Sequence, residues 1–94
     1  MEREEKALGK RGWSSITADI LEAVSQPAKK MRIMYKANLN FDRFNRHFDD
    51  LLEKGFIEKT VDPDGKPVYK ISERGRTLLA ALKKVQEVFS SESC

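Results

Sequence analysis

Cysteine is almost missing from this chain: Cys94 is the only one in 94 residues, which excludes an internal disulfide and a cysteine-based zinc site. A single thiol suits a reducing compartment, and a cytoplasmic location is expected. Long hydrophobic runs are missing too. No apolar stretch approaches the roughly 20 residues of a membrane span, and the N-terminal MEREEKALGKRGW lacks the apolar core of a signal peptide. Histidine occurs once, as His47. It stands one helical step from Asp50, with Asp49 adjacent, but one imidazole and two carboxylates are too few for a closed zinc site. There is no phosphate loop, no dinucleotide fingerprint and no nucleophile placed beside a base. Catalysis, a metal and a cofactor are therefore not expected.

The residues present suit one small domain with a modest core: 39% are apolar and 35% charged. The net charge is only +3, yet it is unevenly spread. Lys29, Lys30, Arg32, Lys36, Arg43 and Arg46 fall within eighteen residues beside one acid, Asp42, so that segment carries +5 while the remainder carries −2. A basic surface around one helix is the footprint of a polyanion site. The alternative is a solvated face that is merely basic.

The segment Asn38–Ile57 centres the chain. Phe41, Phe44, Phe48, Leu51 and Leu52 recur at helical spacing and predict one apolar stripe. Asn40 is placed to cap the helix, and Gly55 to end it in the left-handed conformation with Phe56 following. The opposite face holds Asp42, Arg43, Arg46, Asp49, Asp50 and Glu53, flanked by Asn45 and His47.

Upstream, residues 1–12 have no apolar period and predict a loose arm bearing Lys6, Lys10 and Arg11. A first helix is expected from about Ser15 to Ser25, capped by Ser14 or Ser15 and burying Ile16, Ile20, Leu21 and Val24, with Pro27 as its stop. Trp13 would then precede the cap, packing onto the first turn or, less simply, stacking on a base or partner. A short second helix is expected over Ala28–Tyr35, using Ile33 and Met34 with Met31 or Tyr35 inward. The turn KANL follows, and Leu39 is expected in the core. Two helices joined this tightly predict a helix-turn-helix.

Downstream the period changes. Phe56–Val61 and Pro67–Ile71 read as strands, and Asp62-Pro63-Asp64-Gly65 matches a type I turn. The tip carries Lys66. Ser72 caps a last helix, about Glu73 to Phe89 or Ser90, along which Leu78, Leu82, Val85 and Phe89 form a heptad-like seam with Leu79 and Val88 beside it. Leu78, Leu79 and Leu82 can reach the chain's own core. Val85, Val88 and Phe89 either fold back on the first helix or meet a partner helix, most simply from a second copy. The fold class expected is α+β, mainly α: a winged helix-turn-helix with a three-helix core, a hairpin wing and a C-terminal helix. Its divisions are an arm (1–12), the domain (13–72), a helix for dimerisation (73–90) and a polar tail (91–94). A third strand of one or two residues near Asn38 would be typical of that fold and is not visible in the sequence.

In such a fold the helix at 40–54 enters the major groove of duplex DNA and the wing at 62–67 meets the backbone. Arg43 and Arg46 donate to guanine edges or phosphates, Asn45 pairs with adenine if turned outward, and Asn40 and His47 lie in the same half of the helix. Lys29, Lys30 and Arg32 at the start of the second helix meet a phosphate, aided by its dipole, Lys36 joins the DNA-binding set, and Lys66 meets the adjacent minor groove or backbone from the wing. The acids Asp42, Asp62 and Asp64 oppose DNA and favour the alternative, a winged helix used for protein contacts in a transcription complex. A bundle or coiled-coil adaptor is a third reading, disfavoured by the hairpin.

Three pieces of the chain are familiar: KK-x-RIMYKANL at Lys29–Leu39, LLEKG-aromatic-I at Leu51–Ile57 and Y-x-I-S-x-x-G-x-x-L at Tyr69–Leu78. Together they resemble the archaeal 10a-type small winged-helix proteins of chromatin and regulator-like character. The resemblance runs from about Ile16 to Val85. It implies duplex DNA as the partner and a homodimer made by the C-terminal helix through Leu78, Leu82, Val85, Val88 and Phe89. Met31 stands where that family usually has Thr, and His47 where it usually has Tyr, which adds a titratable group. The last helix reads as shorter than in the long coiled-coil members.

Overall fold

The computed structural model describes residues 12–93, with side chains through residue 88. The order is α1 (Trp13–Ala23), α2 (Lys30–Ala37), α3 (Phe41–Glu53), β1 (Ile57–Val61), β2 (Pro67–Ile71) and α4 (Glu73–Ser93). This is the expected mainly helical α+β class with a two-stranded antiparallel wing. The arm residues Lys6, Lys10 and Arg11, the side chain of Phe89 and residue Cys94 lie outside the described residues.

Helix α3 forms as its ends predict. The Asn40 side-chain oxygen accepts from the Arg43 N–H at 2.8 Å. At the other end Gly55 takes φ 81°, the Phe56 N–H donates to the Leu51 carbonyl at 2.9 Å and the Gly55 N–H to Leu52 at 3.1 Å. That pair of bonds is a Schellman stop, which satisfies carbonyls the helix would leave open.

The first two helices are shifted from their expected positions. Helix α1 begins at Trp13 with Gly12 as an extended N-cap and no side-chain cap bond. The Ile16 N–H reaches back to the Gly12 carbonyl at 3.1 Å, so Ser14 and Ser15 lie inside the first turn rather than before it, and the helix ends at Ala23. Helix α2 starts at Lys30 because Ala28 is already used as strand. The Ala28 N–H donates to Tyr69 O at 3.0 Å, and the Tyr69 N–H returns to Ala28 O at 2.8 Å. Here is the third strand, one residue long and before α2, not near Asn38. Asn38 instead ends α2 in the left-handed region, φ 57°, a conformation Asn tolerates better than most residues.

The wing pairs Ile57 with Ile71 and Val61 with Pro67. Its turn is held by Asp62, whose backbone oxygen accepts from Gly65 N–H at 2.8 Å. The Asp62 carboxylate oxygen accepts from the N–H groups of Asp64 and Lys66, each at 2.9 Å. Helix α4 is then fastened to the exit of α3. The Ser72 hydroxyl donates to the Gly55 carbonyl at 2.6 Å and accepts from the Gly75 N–H at 2.9 Å, and the Ser72 N–H donates to Phe56 O at 3.1 Å. Gly75 is pressed so close that a Cβ there would lie 2.1 Å from the Phe56 carbonyl oxygen.

The core joins Ile16, Ile20, Leu21 and Val24 of α1, Ile33 and Ala37 of α2, Phe44, Phe48 and Leu51 of α3, and Ile57 and Ile71 of the wing. Phe44 and Phe48 stack at 5.0 Å, and Tyr69 meets Phe48 edge-on at 4.8 Å. Each fully buried large side chain contributes about 2 kcal/mol of apolar transfer. Phe41 departs from the expected stripe: it is 63% exposed. Leu39 and Leu52 pack against the core from its edge.

Candidate nucleic-acid interface

With Phe44, Phe48 and Leu51 turned into the core, the helical repeat sends Arg43 and Arg46 outward, and both are exposed. Asn40 also lies on the surface, but its oxygen is committed to the cap. Asn45 is half-buried, and its carbonyl oxygen is covered without a hydrogen-bond partner among the described residues. A bidentate pair with adenine needs that oxygen, and the outward turn of Asn45 on which that pairing is conditional is not the one the structure adopts.

His47 is half-buried and shares a recess with Arg46, Asp50 and Trp13. Burial lowers its pKa below the ordinary 6.5, the Arg43 and Arg46 guanidinium groups lower it further, and Asp50 works in the opposite direction. The imidazole is thus biased to its neutral form. Trp13, read from the sequence as preceding a cap, is the first residue of α1, 52% exposed and beside α3.

The acids of α3 have local reasons to be there. Asp42 sits in the first turn, where the helix dipole favours a negative charge. Asp50 pairs with Lys54 at 3.1 Å across one turn. On the wing, the Asp62 carboxylate closes the turn, as described above.

The basic residues divide into groups. Lys29 and Arg32 are exposed at the start of α2, facing the turn end of the wing across a groove that also holds Val61 and Val68. Lys66 is exposed beyond the wing turn. Lys30 is drawn inward, its ammonium 5.5 Å from the centre of the Phe48 ring, so it covers the core as well as carrying charge. Lys36 stands apart, lining a recess with Asp19 and Glu22 of α1. On the wing strands, Lys70 pairs with Glu58 at 3.9 Å. What the sequence missed here is the groove itself and its exposed Met31 and Tyr35. The signal was their four-residue spacing, which places both on one face of α2.

Of the residues expected at a dimer interface, Leu82 is buried within the chain and Leu78 packs at the edge of the core. Those two belong to the protomer rather than to an open face. Val85 and Val88 are 61% and 50% exposed. Helix α4 runs to Ser93, so the tail expected over 91–94 is helical through that residue. Among the described residues no cluster of three potential metal ligands occurs, and no helix is long and apolar enough to cross a membrane.

Comparison with known proteins agrees with this architecture. An uncharacterised protein of Methanocaldococcus jannaschii is 31% identical over 84 residues, covering 88% of this chain and 81% of its own. A second from the same organism is 41% identical over 81 residues, 85% of this chain, which spans only 35% of that protein's length. Among solved structures, Sso10a-2, a DNA-binding protein from Sulfolobus solfataricus, superposes with TM-score 0.77 at 23% identity, covering 88% of this chain and 86% of that one. The transcriptional regulator BldR, also from Sulfolobus solfataricus, gives TM-score 0.74 at 20% identity over 83% of this chain and 58% of its own. At such identities the likeness is one of fold, and the resemblance to the 10a-type proteins is borne out at that level. The family model described as "Winged helix-turn-helix" matches residues 10–90, and the chain belongs to that family.

Proposed function

We propose that this chain binds duplex DNA as a non-enzymatic transcription regulator or chromatin-associated protein, with α3 in the major groove and the wing against the backbone. The observation that carries the reading is the division of α3. Its apolar face is buried to the last atom at Phe48, and its other face presents Arg43 and Arg46 within one helical turn. Lys29 and Arg32 at the head of α2, and Lys66 on the wing, extend the positive surface to either side. Asn40 contributes through its amide nitrogen, since its oxygen caps the helix. His47 contributes a hydrogen bond from a neutral ring. The shared fold of Sso10a-2, a DNA-binding protein, and BldR, a transcriptional regulator, supports the same reading. The second half of α4, with the exposed Val85 and Val88, is the surface for a second copy.

Phosphate neutralisation releases counterions, so affinity should fall steeply with salt, by roughly 0.9 logarithmic units per contacted phosphate for each decade of concentration. Fluorescence anisotropy with a labelled random duplex over a salt series measures this. A flat response, or no binding at low salt to any duplex, overturns the proposal. The pair Arg43→Ala and Arg46→Ala should weaken binding at least about tenfold, about 1.4 kcal/mol, with an unchanged circular dichroism spectrum. Undiminished binding would remove α3 as the reading element. Comparing random duplex with DNA from upstream of the protein's own coding region separates the two roles, since preference means a regulator and equal affinity a chromatin protein.

A further inference from the structure

The head of α2 and the turn end of the wing border a groove of about 830 Å³. Met31, Tyr35 and Val61 line it and are 53%, 72% and 64% exposed. A lone exposed apolar side chain is ordinary, but three converging on one concave surface form a patch. None of the three belongs to the core. Lys29 and Arg32 border the same groove, and Val68 lines its wing side. The one acid there, Asp62, is turned to other use, its carboxylate oxygen accepting the Asp64 and Lys66 N–H groups.

This lining is poorly matched to a phosphate backbone, which finds no hydrogen-bond donor on Met31 or Val61. It is well matched to a protein segment. Tyr, Met and Arg are the residue types enriched at the centres of protein interfaces. Methionine adapts its shape to an incoming side chain, and Tyr35 presents both an apolar ring and a hydroxyl. The cations on the border select the sign of the segment. We propose that the groove docks an acidic, amphipathic helical segment of a partner protein. The segment's apolar side chains lie on Met31, Tyr35 and Val61, and its carboxylates meet Lys29 and Arg32. Helix-in-groove docking of this kind uses anchors spaced three and four residues apart. The inference does not depend on DNA binding by α3: Met31, Tyr35 and Val61 take no part in that reading, and only the border cations Lys29 and Arg32 are common to both.

The test titrates the full ¹⁵N-labelled chain with a synthetic peptide of about 16 residues, Leu and Phe at helical spacing and Asp and Glu on the opposite face. The same peptide with lysine in place of the acids and a scrambled acidic peptide are the controls. Saturable shifts of the Met31, Arg32, Tyr35, Thr60 and Val61 amides are expected with the acidic amphipathic peptide alone. The pair Met31→Ser and Tyr35→Ser should weaken it at least tenfold, and so should the pair Lys29→Glu and Arg32→Glu. Both pairs change exposed side chains, and retained spectral dispersion verifies the fold. Absence of saturable binding, equal binding of either control, or shifts elsewhere would each overturn the proposal. So would shifts at the groove on concentrating the protein alone, which would make a second copy its occupant.

Discussion

At single residues, two side chains hold polar groups in unusual settings, and each makes a measurable prediction. Thr17 is fully buried in α1, and its hydroxyl has no hydrogen-bond partner among the described residues. An unpaired buried hydroxyl costs about 1–3 kcal/mol, whereas a methyl group of the same shape costs none of that. Thr17→Val should therefore raise stability by about 1 kcal/mol, read as a higher urea midpoint at unchanged slope. His47 makes the second prediction. Its pKa in the folded chain lies below the ordinary 6.5, so between those two values the unfolded chain binds more protons. Stability from this group is complete above about pH 6.5 and is lost as pH falls from there through the folded value. Urea midpoints across that interval should decline, and His47→Gln should flatten the decline. An unchanged slope in the variant would show that another group titrates.

At the scale of elements, the junction between α3 and α4 is the least forgiving part of the chain. Gly75→Ala would drive a methyl group into the Phe56 carbonyl, 2.1 Å away, and into Ile71. Backbone cannot yield as a flexible side chain does, so a loss of about 3 kcal/mol is expected, the upper end for overpacking. Chemical denaturation measures it, and a loss under 1 kcal/mol would mean that the helix start can slide. Ser72, Gly75 and the Schellman stop were legible as residue types at fixed spacing, and the wing likewise, because turn chemistry is local. Phe41 was not. Helical period fixes the angle of a side chain around the axis, and Phe41 shares its angle with Phe44 and Phe48. It lies a turn earlier along the axis, where it stays 63% exposed, and axial reach has no sequence period. The Ala28 strand was unreadable for a different reason. One residue has no alternation, and its pairing with Tyr69 is a contact across forty-one positions. Ser14 and Ser15 misled because a good cap residue is a preference of about 1 kcal/mol, and α1 instead begins about two residues earlier, with Gly12 as its N-cap. Of the candidate site, the exposed arginines followed from the same period that buried the phenylalanines, whereas the inward Lys30 and the remote Lys36 depended on neighbours in space.

For the molecule as a whole, the proposed dimer turns on α4. Leu82 is buried and Lys83 pairs with Glu22 of α1, so the first half of the helix is committed to its own chain. Val85 and Val88 are left exposed beyond that point. Light scattering on the intact chain should report a dimer, and Val85→Lys with Val88→Lys should convert it to a monomer with the fold retained. A dimer untouched by both lysines would place the interface elsewhere.

The Ser72 hydroxyl touches both the Gly55 carbonyl at the exit of α3 and the first turn of α4. It leaves no linker between the helix that would read DNA and the helix that would join two copies. In such a dimer the distance between the two readers is cut into the backbone, like the gap between the teeth of a comb. The pair would measure helical phase along a duplex, and lengthening α4 by a single residue, about 1.5 Å of rise and 100° of rotation, would turn one reader out of step with the other.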